Sequence, residues 1–379
     1  MIPVNEPLIL EKELEYVSDA IKTGWVSSEG KYLRLFEEKF AEKIGVKHAI
    51  AVNNGTSALI LAVRALDLPS GSEIIMPSFT IISCALGAIY NDCVPVFVDA
   101  DPETWCMKVE DIEAKITPRT KAIMPVHLYG HPVQMDELRA IAEKYQLMII
   151  EDFAEAIGTQ YKGQQCGGLG HIGAASFYAN KAITTGEGGA CVTNDDALAA
   201  KLRLGRNLAF IPETRFIHEE LGNNYRLTNV QAAIGLAQVE RFEEQVQKRI
   251  DMGRIYTELL QPYAQAGIVQ LPVQKEYAVN SYWVYGVVLN ESLGVTARQC
   301  MEALAQAGVA TRPFFYPLHL QPAFKKYAWY QEENLPVSKW LYDYGFYFPS
   351  GLTLTEEQMR TVVTTFDQVI TKITGRVVT

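Results

Sequence analysis

Apolar residues recur at helical spacing at Leu10, Leu14, Val17 and Ile21, and Gly24 follows as a stop. The loop Gly24-Trp25-Val26-Ser27-Ser28-Glu29-Gly30 leads into a second amphipathic helix with Leu35, Phe36, Phe40 and Ile44 on one face. From His48 the pattern changes. His48–Val52 reads as a buried strand, Asn53–Ser57 as a turn and Ala58–Leu66 as a helix. Strands over Glu73–Pro77, Pro95–Val98, Ala122–Val126 and Leu147–Ile150 then alternate with helices over Phe79–Ile89 and Met135–Tyr145. The last of these strands ends on Glu151-Asp152, and another strand-like run leads into Ser176-Phe177-Tyr178-Ala179-Asn180-Lys181.

Runs that are apolar on both faces and separated by helices predict an α/β fold, a mostly parallel sheet covered by helices on both faces. A strong Ala- and Gln-rich helix is expected over Asn229–Glu244, running on towards Leu259. Beyond about residue 250, prolines at 272, 313, 317, 322 and 336 punctuate shorter elements. These include a strand over Ser281–Val288 and helices over Ala297–Gly308 and Thr355–Ile373. The expected division is a large domain over residues 1–250 and a smaller α+β domain over 251–379.

Composition narrows the function. The chain has 379 residues and a formal net charge of −10. That balance disfavours nucleic acid or an anionic membrane as the main partner, because phosphate binding needs clustered Lys and Arg. No apolar run approaches the ~20 residues of a membrane span. The N-terminus has neither a basic segment nor an apolar one, so no signal peptide is expected. The six cysteines form no Cys-x-x-Cys pair, and the histidines no helical pair. Reduced thiols in a cytoplasmic protein, with no metal site, are the expectation.

Candidate chemistry centres on Lys181. Between His171 and Asp195 the only charged side chains are Lys181 and Glu187. A lone lysine is most often a solvated loop residue; a buried one loses proton affinity and gains nucleophilicity. Ligands in open parallel sheets sit at the carboxyl ends of the strands. Gly55-Thr56-Ser57, Asp152 and the Lys181 region all fall on that edge. A pyridine cofactor used as an electron sink needs a carboxylate for its ring nitrogen and an amine for its imine. It also needs a phosphate anchor and a flat apolar neighbour. Asp152, Lys181, Gly55-Thr56-Ser57 with Ser176, and Phe79 supply one of each. Each has a plainer reading alone: Asp152 as a helix cap, Ser176 as a strand residue, Phe79 as core. Jointly they favour the cofactor.

The chain resembles the DegT/StrS type of sugar-nucleotide aminotransferase, with the aspartate-aminotransferase fold (fold type I). The matching stretches are Gly24–Ser28, Asn54–Ala58, Pro77–Thr80, Glu151–Glu155, Ser176–Lys181, Gly186–Gly189, Asn224–Arg226 and Arg312–His319. The resemblance implies a pyridoxal 5'-phosphate enzyme that moves the amino group of glutamate to C4 of a nucleotide-linked 4-keto-6-deoxy sugar. It implies Lys181 as the imine-forming, proton-moving amine and Asp152 as the ring-nitrogen partner. Glu155 would lie beside the ring hydroxyl, and Gly55, Thr56, Ser57 and Ser176 around the phosphate. Asn224 would reach the phosphate of a neighbouring subunit in a homodimer; pairing of dimers into tetramers stays open. Trp25, Ser27, Arg226, Tyr316 and His319 would line the sugar-nucleotide side. Arg226, Lys31 and His319 are candidate partners for the anionic groups. Relatives that remove a sugar hydroxyl carry histidine in place of the lysine, so Lys181 favours transamination over dehydration. Aminotransferases for UDP- or dTDP-linked keto sugars, or for a keto-octulosonate, are the near alternatives, and a silent regulator a distant one. The chain departs from close members at Ala179, at Phe153 and over Leu208–Leu221.

Overall fold

The structure, a computed structural model, describes residues 1–377. Its main sheet has seven strands: β1 (His48–Val52), β2 (Glu73–Pro77), β3 (Val94–Val98), β4 (Thr120–Ile123), β5 (Met148–Asp152), β6 (Ile172–Ser176) and β7 (Gly189–Thr193). Their order is β1-β7-β6-β5-β4-β2-β3. Strands β2 to β6 pair in parallel, and β7 is antiparallel to both its neighbours, β1 and β6. Thus β1, β5 and β6 point the same way, and their carboxyl ends share one edge of the sheet. β2 is buried at every position, as expected of a strand covered on both faces.

Most helices lie where the periodicity places them: α1 (Glu11–Lys22), α2 (Lys31–Ile44), α3 (Gly55–Ala65), α4 (Ser83–Ile89) and α5 (Met135–Tyr145). A further helix, α6 (Asp196–Arg206), was not expected; it starts at the Asp195 cap. The differences are local. The Asn53–Ser57 turn is shorter than expected, because Asn54 caps α3 by accepting from the Ser57 N–H at 2.8 Å. The helix expected from Phe79 begins only at Ser83. Ahead of it, the Ser78 backbone is tied to Val98 and to Leu318, which holds Phe79–Ile82 out of helical register. The long helix after Thr228 is two helices, α7 (Asn229–Val239) and α8 (Phe242–Gln265), broken at Arg241 with φ −111°. Arg241 turns aside there to pair with Glu13.

The face of α1 is also the reverse of the simplest reading. Its buried residues are Glu13 and Ala20, while Leu14 is 68% exposed and Ile21 also faces solvent. Ala20 is small enough to face α7, and the Glu13 carboxylate accepts from the Leu10 N–H and from Gln238. Leu10, Leu14 and Ile21 therefore point outward, while Val17 packs partly against the core.

Past α8 come a second, four-stranded antiparallel sheet and the helices α9 (Ala297–Gln306), α10 (Pro336–Tyr344) and α11 (Glu356–Thr374). The sheet contains β8 (Val269–Gln270), β9 (Tyr285–Leu289), β10 (Arg312–Pro313) and β11 (Gly345–Phe348), in the order β8-β9-β11-β10. Its core is aromatic: Tyr256 stacks on Tyr285 and Phe348, and Phe366 packs edge-on against Phe348. Helix α8 carries the chain from one core to the other; Phe242 lies in the first and Tyr256 in the second.

Candidate active site

The shared carboxyl edge of β1, β5 and β6 opens into a cavity of about 290 Å³. Lys181, Asp152, Glu155, Gly55, Thr56 and Ser176 all line it. The backbone fixes each of them. Asp152 ends β5, where its N–H donates to the Pro125 carbonyl at 2.9 Å and its own carbonyl accepts from His127 at 3.0 Å. Gly55 opens α3 directly against Ser176: a Cβ there would lie 2.8 Å from the Ser176 Cβ. Glycine at this position is what lets the helix N-terminus approach the end of β6. Thr56 and Ser83 share a hydroxyl hydrogen bond at 2.8 Å on the same wall.

The two carboxylates differ in their partners. Asp152 accepts from the Ala154 N–H at 3.0 Å and from the Cys84 thiol at 3.2 Å. Burial raises its pKa, against the pull of those donors and of Lys181. Glu155 accepts from the Tyr129 N–H at 3.0 Å. Burial pushes it up to about 7, opposed by Lys181. Tyr129 itself has φ 52°, a left-handed conformation that few non-glycine residues adopt, and strain of this kind concentrates at functional sites.

Lys181 is 10% exposed; its Nζ lies 3.9 Å from Glu155 Oε1 and 3.6 Å from the centroid of the Trp283 ring. Burial is the main cause that lowers its pKa, against Glu155 and Asp152. A buried amine held towards its neutral form between two carboxylates is equipped for nucleophilic attack and for moving protons.

Not every expected residue joins this group. Phe79 does not face the cavity. It is 1% exposed and packs against Tyr129, Phe314 and Phe315, because the turn after β2 sends its ring inward. Ile81, Phe315 and Trp283 form the apolar wall instead. Ser57 lies behind the wall, buried. His319 is 3% exposed, bonded through Nδ1 to Ser78 Oγ at 2.6 Å, and burial lowers its pKa, so it does not line the cavity. Tyr316 is half-exposed and edge-on to Tyr342, away from Lys181. Asn224 bridges to Asn207 outside the cavity. Lys31 is an exposed ion-pair partner of Asp19 at 2.8 Å.

Trp25, Ser27 and Arg226 come together elsewhere, in a second pocket of about 310 Å³ that also holds Arg215. It adjoins a larger hollow of about 650 Å³ to which Arg203, Arg206, Arg215 and Arg226 contribute. Arg226 donates to Asn207 Oδ1 at 2.9 Å and Arg206 pairs with Glu37 at 2.5 Å. Phe216, Ile217 and Leu221, nearby in sequence, are strongly exposed.

Cys84, Arg249 and Trp283 have no place in the sequence expectations. Cys84 and Trp283 carry a signal only as apolar members of a predicted helix and strand. Arg249 carries none on an otherwise amphipathic helix. Tyr129 lies in Pro125–Gly130, a stretch that also fits the resemblance.

A lysine facing paired carboxylates beside a helix N-terminus, on the carboxyl edge of an α/β sheet, is the arrangement of a pyridoxal-phosphate aminotransferase. The pattern of the DegT/DnrJ/EryC1/StrS aminotransferase family matches residues 7–367, and the chain belongs to that family. It is similar to a GDP-perosamine synthase of Caulobacter vibrioides, 42% identical over 97% of this chain and 98% of the relative. It is also similar to a GDP-perosamine synthase of Escherichia coli O157:H7, 39% identical over 94% of this chain and 95% of the relative. Among solved structures, an aminotransferase from Psychrobacter cryohalolentis superposes with a TM-score of 0.92 at 31% identity, covering 98% of this chain and 100% of that one. The expected fold, the aminotransferase class and the pyridoxal phosphate cofactor stand.

The residues present suit that cofactor. Gly55 leaves a cradle that a Cβ would fill, next to the N-terminus of α3 and the Ser176 hydroxyl. Asn180 Oδ1, on the cavity wall, is buried without a partner among the described residues.

Proposed function

We propose that this chain moves the amino group of glutamate onto C4 of GDP-4-keto-6-deoxymannose, giving GDP-perosamine and 2-oxoglutarate. The observation that carries the chemistry is a buried lysine, rather than a histidine, between Glu155 and Trp283. The nucleotide and sugar are supported by the likeness to GDP-perosamine synthases over nearly the whole chain.

In this reading Asp152 would keep a proton on the cofactor's ring nitrogen. The α3 N-terminus, Thr56 and Ser176 would hold its phosphate, and Glu155 would serve the ring hydroxyl. Bound pyridoxal phosphate supplies the electron sink that stabilises charge at the substrate carbon. Lys181 Nζ takes the proton from Cα of glutamate in the first half-reaction and delivers one to C4 of the sugar in the second. Proton transfer by a positioned group of this kind is typically worth ~10²–10⁴ in rate. Ile81, Phe315 and Trp283 keep bulk water from the reacting carbon.

The protein works as a homodimer in the cytoplasm. The outward apolar stripe of α1, together with Trp25, Phe216, Ile217 and Leu221, gives a surface suited to a second copy. Asn224 and the Trp25–Ser27–Arg226 pocket then complete the neighbouring site, with Arg226 and Arg215 available to the nucleotide diphosphate. Six free, buried cysteines suit a reducing compartment.

The test supplies glutamate with a panel of GDP-, UDP- and dTDP-linked keto sugars and a keto-octulosonate, and identifies products by mass and NMR. Amination of the GDP sugar at C4 with the highest kcat/KM supports the reading. Preference for another nucleotide, or loss of a hydroxyl without glutamate, overturns it.

A further inference from the structure

Arg249, on α8, is fully buried and its guanidinium meets only backbone oxygens. Nη1 donates to the carbonyls of Trp283 and Ser350, the latter at 2.5 Å, and Nη2 donates to the carbonyl of Asn180 at 3.0 Å. Burial lowers its pKa to about 10, and among the described residues no carboxylate pairs with it. A buried charge without a counter-ion is costly, and neutral donors satisfy carbonyls as well. The position of the charge is therefore informative. Asn180 is the residue before Lys181. Its carbonyl also accepts from Trp283 Nε1 at 3.0 Å, and the Trp283 ring lies against the lysine amine. Arg249 thus grips both the backbone leading into Lys181 and the residue whose ring seats it.

The other groups facing Lys181 are Glu155 and Asp152, from the end of β5 and the turn after it, with Glu187 and Tyr178 at the cavity wall. Both buried carboxylates and the ring face favour the ammonium form. Burial and the charge of Arg249 oppose them.

We propose that Arg249 is a positioning residue for Lys181. Its unpaired guanidinium, fixed by the Asn180 and Trp283 carbonyls behind the lysine loop, holds the amine in place and biases it towards the neutral, nucleophilic form. This rests on the reading of Lys181 as the amine that bonds the cofactor.

The test compares wild type, Arg249→Met and Arg249→Lys as full-length proteins, with circular dichroism as the check on folding. One measurement is the pH titration of the bound cofactor's visible absorbance. The other is the pH profile of Lys181 acylation by acetic anhydride in the cofactor-free chain, read by mass spectrometry. Arg249→Met is expected to move both profiles to higher pH, with acylation at neutral pH several-fold slower. Arg249→Lys keeps the charge and is expected to stay close to wild type. A folded Arg249→Met that titrates with wild type overturns the proposal. If that variant does not fold, Arg249→Gln takes its place, removing the charge while keeping an amide donor for the backbone carbonyls. Neutralising Arg249 in this way should shift the profiles in the same direction, and unchanged profiles overturn the proposal equally. The two readings fail separately. An imine absorbance that survives Lys181→Ala removes the functional assignment, whereas the acylation profile decides on Arg249 alone.

Discussion

The Lys181 cavity and the surface around α1 and Trp25 are built in opposite ways. In the cavity the polar groups of the machinery are paired within the chain: Asp152 by Ala154 and Cys84, Glu155 by Tyr129, the lysine loop by Arg249 and Trp283. On the surface, large apolar side chains point outward, with Phe216 80% exposed, beside a hollow to which four arginines contribute. Exposed apolar patches of this kind often mark interaction surfaces. In the proposed function the reacting groups come from one chain, while Asn224 and the nucleotide-facing residues come from its neighbour.

The sharpest break of this contrast is at Lys181 itself. Lys181→Ala is expected to abolish the imine absorbance of the lysine-bound cofactor and to lower turnover by ~10²–10⁴ or more. The fold should survive, because Glu155 keeps the Tyr129 N–H as a donor and takes up a proton more readily once the amine is gone. Ultraviolet–visible spectra and single-turnover kinetics with glutamate check this; a normal spectrum with retained activity would end the assignment.

The next test addresses the other region. Leu14→Glu adds a charge to the exposed stripe of α1, where the isolated chain has nothing to lose: surface changes of this kind usually alter stability by about 0.5 kcal/mol or less. If the stripe is an interface, sedimentation velocity should show the mass fall to that of one chain. Activity should fall with it. A variant that stays assembled and active means that α1 is simply an exposed face.

The same contrast explains what was legible in the sequence. Strand alternation and the placement of Asp152 and Lys181 follow from local pattern, because both faces of the sheet are apolar and the carboxyl edge is fixed by topology. The inward turn of Phe79 was not legible: the chain after Pro77 is held by Val98 and Leu318, and Ser78 also bonds His319, 241 residues further on. The orientation of α1 was missed for a similar reason. Periodicity locates an apolar stripe but not what covers it, and here the small face carrying Ala20 packs inward. Arg249 and Cys84 act through partners far away in sequence, so neither has a local signature.

The smallest expected effect tests whether the cavity's pairing is as complete as it looks. Glu155 titrates near 7 in the folded chain because burial disfavours its charge, whereas an unfolded glutamate titrates near ~4.3. Between those values the folded chain keeps a proton that the unfolded chain has released. Stability from this group is therefore fully present at low pH and is lost as pH rises towards 7. Lys181 runs the other way, in the window between its lowered folded value and the ordinary amine range, so its contribution rises with pH there. Glu155→Gln should remove the acid-side slope alone. Discounted for its coupling to Lys181, the difference is on the order of 1 kcal/mol, or about 1–2 °C in thermal midpoint for a chain of this length. The measurement compares the midpoints of the cofactor-free wild type and variant at pH 5 and pH 7.5. Wild type should lose more between the two than Glu155→Gln does. Equal losses would mean that Lys181 and the Tyr129 N–H already compensate the buried carboxylate in full.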